Sequence, residues 1–415
     1  MYLPRAARRA TSALIALAAT AAMSACSGTG AAAPADKVTI YVSFPLQGAQ
    51  RTLSEGMLNG VRLALKQADG RAGRFAVTLR ALDDSTAEAG RWDPGQTSAN
   101  ARQAAGDPRA MAYLGEFNSG ASAISLPILN KAGLAQVSPG NTAVGLTTNE
   151  AGAEPGEPER YYPSGQRTYL RVVPRDRVQG AALASLMRKQ SCQQVFLLND
   201  GELYGVGLAR NIAASAKDSG LKVIENRTID AKASNYHALT ANISAKKADC
   251  VAYAGITPNN AVQVFRDLAV GLPTAKLFGS DGVAESAFAN PSEGGIPAIT
   301  GKRMYVTAPT LGPEHYGPLG KQFFADYRNA YGDRSPEPYA IYGYEAMRLV
   351  LDAIARAGAR GNDRGAVLKQ LMLTRDRKSV LGTYSIDRNG DTTLTDYGAY
   401  RIAKGQLVFD HVIRP

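Results

Sequence analysis

From residue 37 the chain alternates short runs of consecutive apolar residues with longer stretches whose apolar residues recur every three or four positions. VTIYVSF (38–44) reads as a strand. LSEGMLNGVRLALKQAD then sets Leu53, Met57, Val61 and Leu65 at equal helical spacing, the buried stripe of an amphipathic helix. FAVTLRALDD is a second strand. DPGQTSANARQAAG is a helix opened by Asp93 as N-cap and Pro94 at its first position, and closed at Gly106. MAYLGE is a third strand, SAISLPILNKAG a helix and LAQVSP a fourth strand. Such alternation predicts parallel strands with right-handed helical crossovers, a doubly wound α/β sheet.

Residues 150–168 interrupt the pattern. EAGAEPGEPERYYPSGQR is rich in proline and glycine and reads as an extended surface excursion. The alternation then resumes: strands TYLRVVPRD, QVFLLND, LKVIENRTI, VAYAG and AKLFGSDG are separated by helices, the last of them capped by Thr257 with Pro258 at its start. A second wheel of similar layout follows. RMYVTAPT is a further strand, Lys321 to Tyr331 is helical, and PYAIYGYEAMRLVLDAIARAG is a long helix. The end of the chain reads as strands joined by Asn-Gly and Lys-Gly turns. A tail mixing a long helix with hairpins predicts that the chain crosses between the wheels more than once. The length of 415 residues independently favours two cores over one.

The first residues differ from the rest. MYLPRAARRA is basic, TSALIALAATAA is apolar but too short to span a bilayer, and MSAC places small residues before Cys26. Met-Ser-Ala-Cys resembles a bacterial lipobox. The resemblance implies a lipoprotein signal peptide over 1–25, lipidation of Cys26, and anchoring to the outer face of the bacterial cell membrane. Residues 26–36 are small and polar, as expected of a flexible tether. Loss of a leader carrying Arg5, Arg8 and Arg9 and no acid lowers the formal charge of +11 by three. The remaining basic residues form no block and do not interleave with aromatics, so nucleic acid is not an expected partner. Export permits disulfides. Cys192 and Cys250 each precede an apolar strand; if those strands are neighbours in a parallel sheet, both fall at one edge, either as a disulfide or as two half-buried thiols.

Catalytic chemistry is sparse. The sequence has no phosphate-binding loop, nucleophile elbow or metalloprotease motif, and His237, His315 and His411 are far apart. DRNGD (387–391) starts like a calcium loop but has Thr392 and Gly398 where Gly and Glu are required, so a tight Asn-Gly turn explains it better. Asp83-Asp84-Ser85 has no base or metal partner and is expected to cap and solvate a strand end. Neither an enzyme nor a cofactor or metal site is expected.

Binding remains. Ligands of open α/β sheets sit beyond the carboxyl ends of the strands. Asn118-Ser119-Gly120 and Gly140-Asn141-Thr142 fall there in the first wheel, with N–H groups and hydroxyls suited to a carboxylate. In the second wheel Asn199-Asp200-Gly201 leads to Tyr204, and Gly255-Ile256-Thr257 and Gly279-Ser280-Asp281-Gly282 follow. An acid at Asp281 and an aromatic at Tyr204 complement the first set, and a zwitterion would satisfy both.

YLGEFNSGASAISLPILNKAG–VSPGNT, LLNDGELYGVGLA and FGSDGV, with the lipobox and two wheels, resemble the type I periplasmic binding proteins of ABC transporters, in the branched-chain amino-acid branch. The match covers about 37–415. It implies two lobes, 37–170 with 308–386 and 171–307 with 387–415, joined by hinge crossovers near 171–175, 304–309 and 384–391. It implies that Ser119, Gly140 and Thr142 hold the ligand's carboxylate and ammonium, that Tyr204 closes over it, and that Asp281 pairs the ammonium. Leu53, Asn118, Asn141, Ile256 and Tyr339 are the further pocket candidates. Ile256 stands where an aromatic is common, Asp281 is one methylene shorter than the commoner Glu, and the 150–168 insert is long for the branch. The implied function is a monomeric receptor that delivers a small ligand, an apolar amino acid foremost, to an ABC-transporter permease. A sensor of the same fold for amides or aromatic acids is the alternative.

Overall fold

In β1 (Lys37–Phe44) every residue after Lys37 is buried. Both faces of the strand are covered, which is why its sequence is continuously apolar rather than alternating. It opens a computed structural model that describes residues 37–332 and 336–415. The expected signal peptide, Cys26 and the tether lie outside the described residues.

The first series continues with α1 (Arg51–Gln67), β2 (Arg71–Ala72), β3 (Phe75–Asp83), a small hairpin of β4 (Ser85–Thr86) and β5 (Arg91–Trp92), and α2 (Pro94–Gly106). Next come β6 (Ala110–Leu114), α3 (Ser119–Lys131), β7 (Ala135–Ser138) and β8 (Tyr169–Arg171). Their sheet has the order β2-β3-β1-β6-β7-β8. Every pairing in it is parallel except β2 with β3.

A second series follows: α4 (Asp176–Lys189), β9 (Gln194–Asn199), α5 (Leu203–Asp218), β10 (Lys222–Thr228), α6 (His237–Ala245) and β11 (Cys250–Ala254). It ends with α7 (Val262–Gly271), β12 (Lys276–Gly279), the short α8 (Ser286–Ala289) and α9 (Ala298–Gly301), and β13 (Met304–Ala308). The chain then returns to the first lobe as α10 (Pro318–Tyr331), α11 (Ala340–Arg356), α12 (Arg364–Met372) and the hairpin of β14 (Arg377–Ser379) and β15 (Gly382–Tyr384). Finally β16 (Tyr397–Ala403) and β17 (Gln406–Ile413) close the second sheet, in the order β10-β9-β11-β12-β13-β16-β17. Two α/β lobes are thus joined by crossovers, as the resemblance implies. Residues 304–308, expected within the second crossover, are strand β13, and the chain leaves the second sheet only after Ala308.

Of the stripe on α1, Leu53, Met57 and Val61 are buried with Ala64 in a core shared with α11, while Leu65, expected among them, is only partly buried against it. Close approach needs glycine on both helices: a Cβ at Gly60 would lie 2.1 Å from the Ala340 carbonyl oxygen, and one at Gly343 would lie 2.2 Å from that of Met57. Cys192 and Cys250 are joined as a disulfide at the edge of neighbouring parallel strands β9 and β11, with Cα atoms 5.9 Å apart.

The first and third crossovers are pinned to each other. Arg171, fully buried, gives Nε to Asp391 at 2.6 Å, Nη1 to the carbonyls of Asn141 (3.2 Å) and Ala143 (2.8 Å), and Nη2 to Thr147 Oγ1 at 2.5 Å. The Arg171 N–H donates to Gly390 O, within the DRNGD turn. Asp391 is thereby committed to an ion pair, and Asp387 Oδ1 accepts the Asn389 and Asp391 amides.

The 150–168 segment is more than a surface excursion. Tyr161, Tyr162 and Glu157 are buried in it, Tyr162 donates to Leu146 O at 2.7 Å, and Glu154 reaches Arg210 of α5. Aromatic anchors within a proline-rich stretch hold it down. Asp84 departs from expectation too. It is fully buried rather than solvated, and burial first, then the facing Glu116, raise its carboxyl well above the usual range. Asp83 does cap, accepting the Leu46 and Ser85 amides.

Candidate functional site

The third and fourth strands of the first sheet end side by side, and their exit loops are laced together by small polar side chains. Ser138 Oγ donates to Glu116 O (2.8 Å) and accepts the amides of Gly140 (3.1 Å) and Asn141 (2.8 Å). Ser122 Oγ accepts the Glu116 amide and donates to Asn141 Oδ1, while Asn141 Nδ2 donates to Phe117 O. Ser119 Oγ accepts the Ala143 amide at 3.3 Å. The first turn of α3 therefore faces the 140–142 turn, with helix amides left to bind an anion. Gly140 leaves room for the Phe117 ring, one of whose carbons would lie 2.4 Å from a Cβ there.

From the second lobe come Glu202 and Tyr204 at the start of α5, Ile256 after β11, and Asp281 with Gly282 after β12. Tyr204 and Tyr339 each donate a hydroxyl to Asp281, one to each carboxylate oxygen. Tyr339 stands at the head of α11, on the first lobe, and packs edge-on against Phe117 with ring centroids 5.2 Å apart. Its bond to Asp281 thus spans the cleft.

Between the lobes lies a narrow cavity. Asn118, Ser119, Gly140, Thr142, Tyr204, Ile256, Asp281 and Tyr339, all picked out in the sequence, line it together. Leu53 does not. It faces inward on α1 and is part of the first lobe's core. Asn141 does not either, because its side chain is spent on Ser122, Phe117 and the Tyr169 hydroxyl. No histidine lines the cavity.

Phe117, Glu202 and Gly282 also line it. Each lies inside a segment the sequence had marked, but nothing in the spacing sets it apart. Asp176, the first residue of α4, is a further acid of the site. Its amide donates to Thr142 O at 2.8 Å, and neither of its fully buried carboxylate oxygens makes a hydrogen bond. Burial first, and then the charge of Asp281, push its carboxyl well above the usual range, against the pull of Thr142 and Arg171. Asp281 is itself raised by burial, opposed by the tyrosine hydroxyls, Gln179 and the Gly282 amide. Among the residues lining the cavity none is Lys or Arg. The site sets the amino end of α3 opposite the buried acid Asp281, with Asp176 close to it and no Lys or Arg on the cavity wall.

The sequence model of a family described as "Periplasmic binding protein" matches residues 37–406. A Leu/Ile/Val-binding protein homolog 2 of Brucella abortus is 25% identical over 373 residues, 89% of this chain and 91% of the relative. Among solved structures, a leucine binding protein from Thermotoga maritima superposes with a TM-score of 0.76 at 22% identity, covering 91% of this chain and 99% of that one. A solute binding protein from R. palustris in complex with benzoate superposes at 0.74 with 16% identity, covering 91% and 97%.

Proposed function

The chain belongs to the periplasmic binding protein family, and on that premise we propose that it is an extracytoplasmic receptor for a free amino acid. Members are non-catalytic solute-binding proteins that take a small ligand between two lobes. The observation that carries the choice of ligand is Asp281, a buried acid on a cavity wall that holds no Lys or Arg, with the buried acid Asp176 close to it. An ammonium gives Asp281 a cation to pair with, whereas an aromatic acid brings no cation and sets its own carboxylate towards that acid.

In this reading the ligand carboxylate lies against Ser119, the α3 amides and Thr142, and the ammonium against Asp281 with Asp176 behind it. Phe117, Ile256 and Tyr339 offer apolar walls to the side chain. Relatives named for Leu, Ile and Val support an apolar one. Delivery to an ABC-transporter permease and anchoring through lipidated Cys26 complete the proposal, the latter supported by the lipobox-like MSAC sequence.

Purified protein is tested by thermal shift against the twenty amino acids, amides, benzoate and 4-hydroxybenzoate. A ligand at a hundred times its Kd adds about 2.7 kcal/mol of stability, read as a rise in Tm. Asp281→Asn should weaken the best amino acid by about 1.5–3 kcal/mol, the range for a bond to a charged group. Saturable binding of benzoate with none of any amino acid, or an unchanged Kd in Asp281→Asn, would overturn the assignment.

A further inference from the structure

The hairpin β4–β5 belongs to neither large sheet. It is nonetheless firmly seated on the first lobe. A Cβ at Gly48 would lie 1.7 Å from the Gly90 carbonyl oxygen, Gln47 donates its amide to Ser85 Oγ at 3.0 Å, and the Asp93 amide donates to Asp84 O at 2.7 Å. The Trp92 ring lies on the first turn of α3, within 2.8 Å of where a Cβ at Gly120 would be.

From this seat the hairpin reaches across the cleft. Arg91 Nη1 donates to Glu202 Oε1 and to Asn259 Oδ1 (2.9 Å), and Trp92 Nε1 donates to Glu202 Oε2 at 3.2 Å. Asn259 Nδ2 closes the network, donating to Glu202 Oε1 (3.1 Å) and to Asp200 Oδ2 (2.9 Å). Both carboxylate oxygens of Glu202 are therefore held, one solely by the opposite lobe. Glu202 lines the cavity, whereas Arg91 and Trp92 do not. The Glu202 side chain is 15% exposed and that of Arg91 38%, so the carboxylate end of the pair is sheltered from solvent while the guanidinium end is partly screened.

We propose that this hairpin is the clasp that sets how long the closed lobes retain a ligand, with Arg91 and Trp92 as positioning residues that hold Glu202 over the cavity. The clasp forms only when the lobes meet, so it contributes to the closed complex and not to the first encounter. Its loss belongs in the dissociation rate. The proposal rests on binding between the lobes and is independent of which ligand is bound.

Trp92 is the only tryptophan of the chain and so reports on its own contact. Stopped-flow emission is followed for L-leucine and, in parallel, for benzoate, with the full chain, Arg91→Ala and Glu202→Gln. For whichever probe binds, Arg91→Ala should release it about tenfold faster or more with association within about twofold of the parent. Glu202→Gln, which keeps an acceptor for Trp92 and loses the charge, should fall between. Release within about twofold of the parent in Arg91→Ala would overturn the clasp, and binding of benzoate alone would overturn only the amino-acid reading. If neither probe binds, spin labels at the exposed positions 131 and 217 (Lys131→Cys, Lys217→Cys) decide the matter in ligand-free protein. Arg91→Ala should shift the inter-lobe distance distribution towards the open form, and superimposable distributions would reject the proposal.

Discussion

Asp176 carries two features in tension. A buried carboxylate without a hydrogen bond destabilises the fold, yet the same missing partner is what a ligand ammonium can supply. Because its carboxyl is raised in the folded protein, the native state holds its proton more tightly than the unfolded chain does. The associated stability is complete below the ordinary Asp range and is lost as pH climbs above it. Asp176→Asn, which cannot ionise, should therefore gain stability over the parent increasingly with rising pH, while binding an amino acid more weakly. Denaturation curves and affinities at pH 5, 7 and 9 test both signs, and a variant that loses affinity only in proportion to stability would show a structural role instead. Residues of this kind were the least legible in the sequence. Ser119, Thr142 and Asp281 stand out because strand ends are where ligands bind, so position alone marks them. Phe117 and Asp176 come into play through contacts made by other elements, and Leu53 and Asn141 fall on the wrong side of their own backbones. One-dimensional spacing cannot register either fact.

Among the elements, the strands and helices were readable because covered parallel strands are continuously apolar and α1 repeats its stripe at helical spacing. The places of the crossovers came from the resemblance and not from the pattern, since what fixes the first and third is a long-range ion pair. Arg171 and Asp391 are 220 residues apart and together tie β8, the last crossover and the carbonyls flanking Thr142 into one body. Removing one member of a buried pair leaves the other uncompensated, at a cost of about 3–5 kcal/mol. Asp391→Ala should lower stability by about that amount, measured as the midpoint of urea unfolding, whereas Asp391→Asn, which can still accept from Arg171, should lose less. Equal, small losses in the two variants would show that Thr147 and the backbone carbonyls satisfy Arg171 without Asp391.

At the scale of the whole molecule the lobes meet at a second place where acids face one another. Glu285, just before α8, is buried with neither carboxylate oxygen bonded, and Glu337, ahead of α11 on the first lobe, accepts from Ser286. Burial, with Glu337 adding and Thr257 opposing, pushes Glu285 up to about 8. Glu337 is also raised, by burial and then by Glu293, against the Ser286 bonds. Bringing the lobes together thus favours taking up a proton. Affinity for the ligand should fall as pH rises from the ordinary Glu range towards 8, by up to about tenfold per unit for one proton. Glu285→Gln should flatten that slope in calorimetric titrations between pH 5.5 and 9, and a slope unchanged by the substitution would place the proton elsewhere.

The proline-rich segment at 150–168 gives the same closing motion a different kind of limit. Its buried tyrosines fasten it to the first lobe, yet Glu154 lies 2.6 Å from Arg210, and a Cβ at Gly152 would lie 2.2 Å from the side-chain Nδ2 of Asn211. The ion pair is half open to water and contributes at most about 1 kcal/mol, so it releases readily. The steric contact is of another nature, because two surfaces already touching cannot be pressed closer. The segment thus behaves as a doorstop. It rests against the facing lobe where the two halves come together, without reaching the chamber itself.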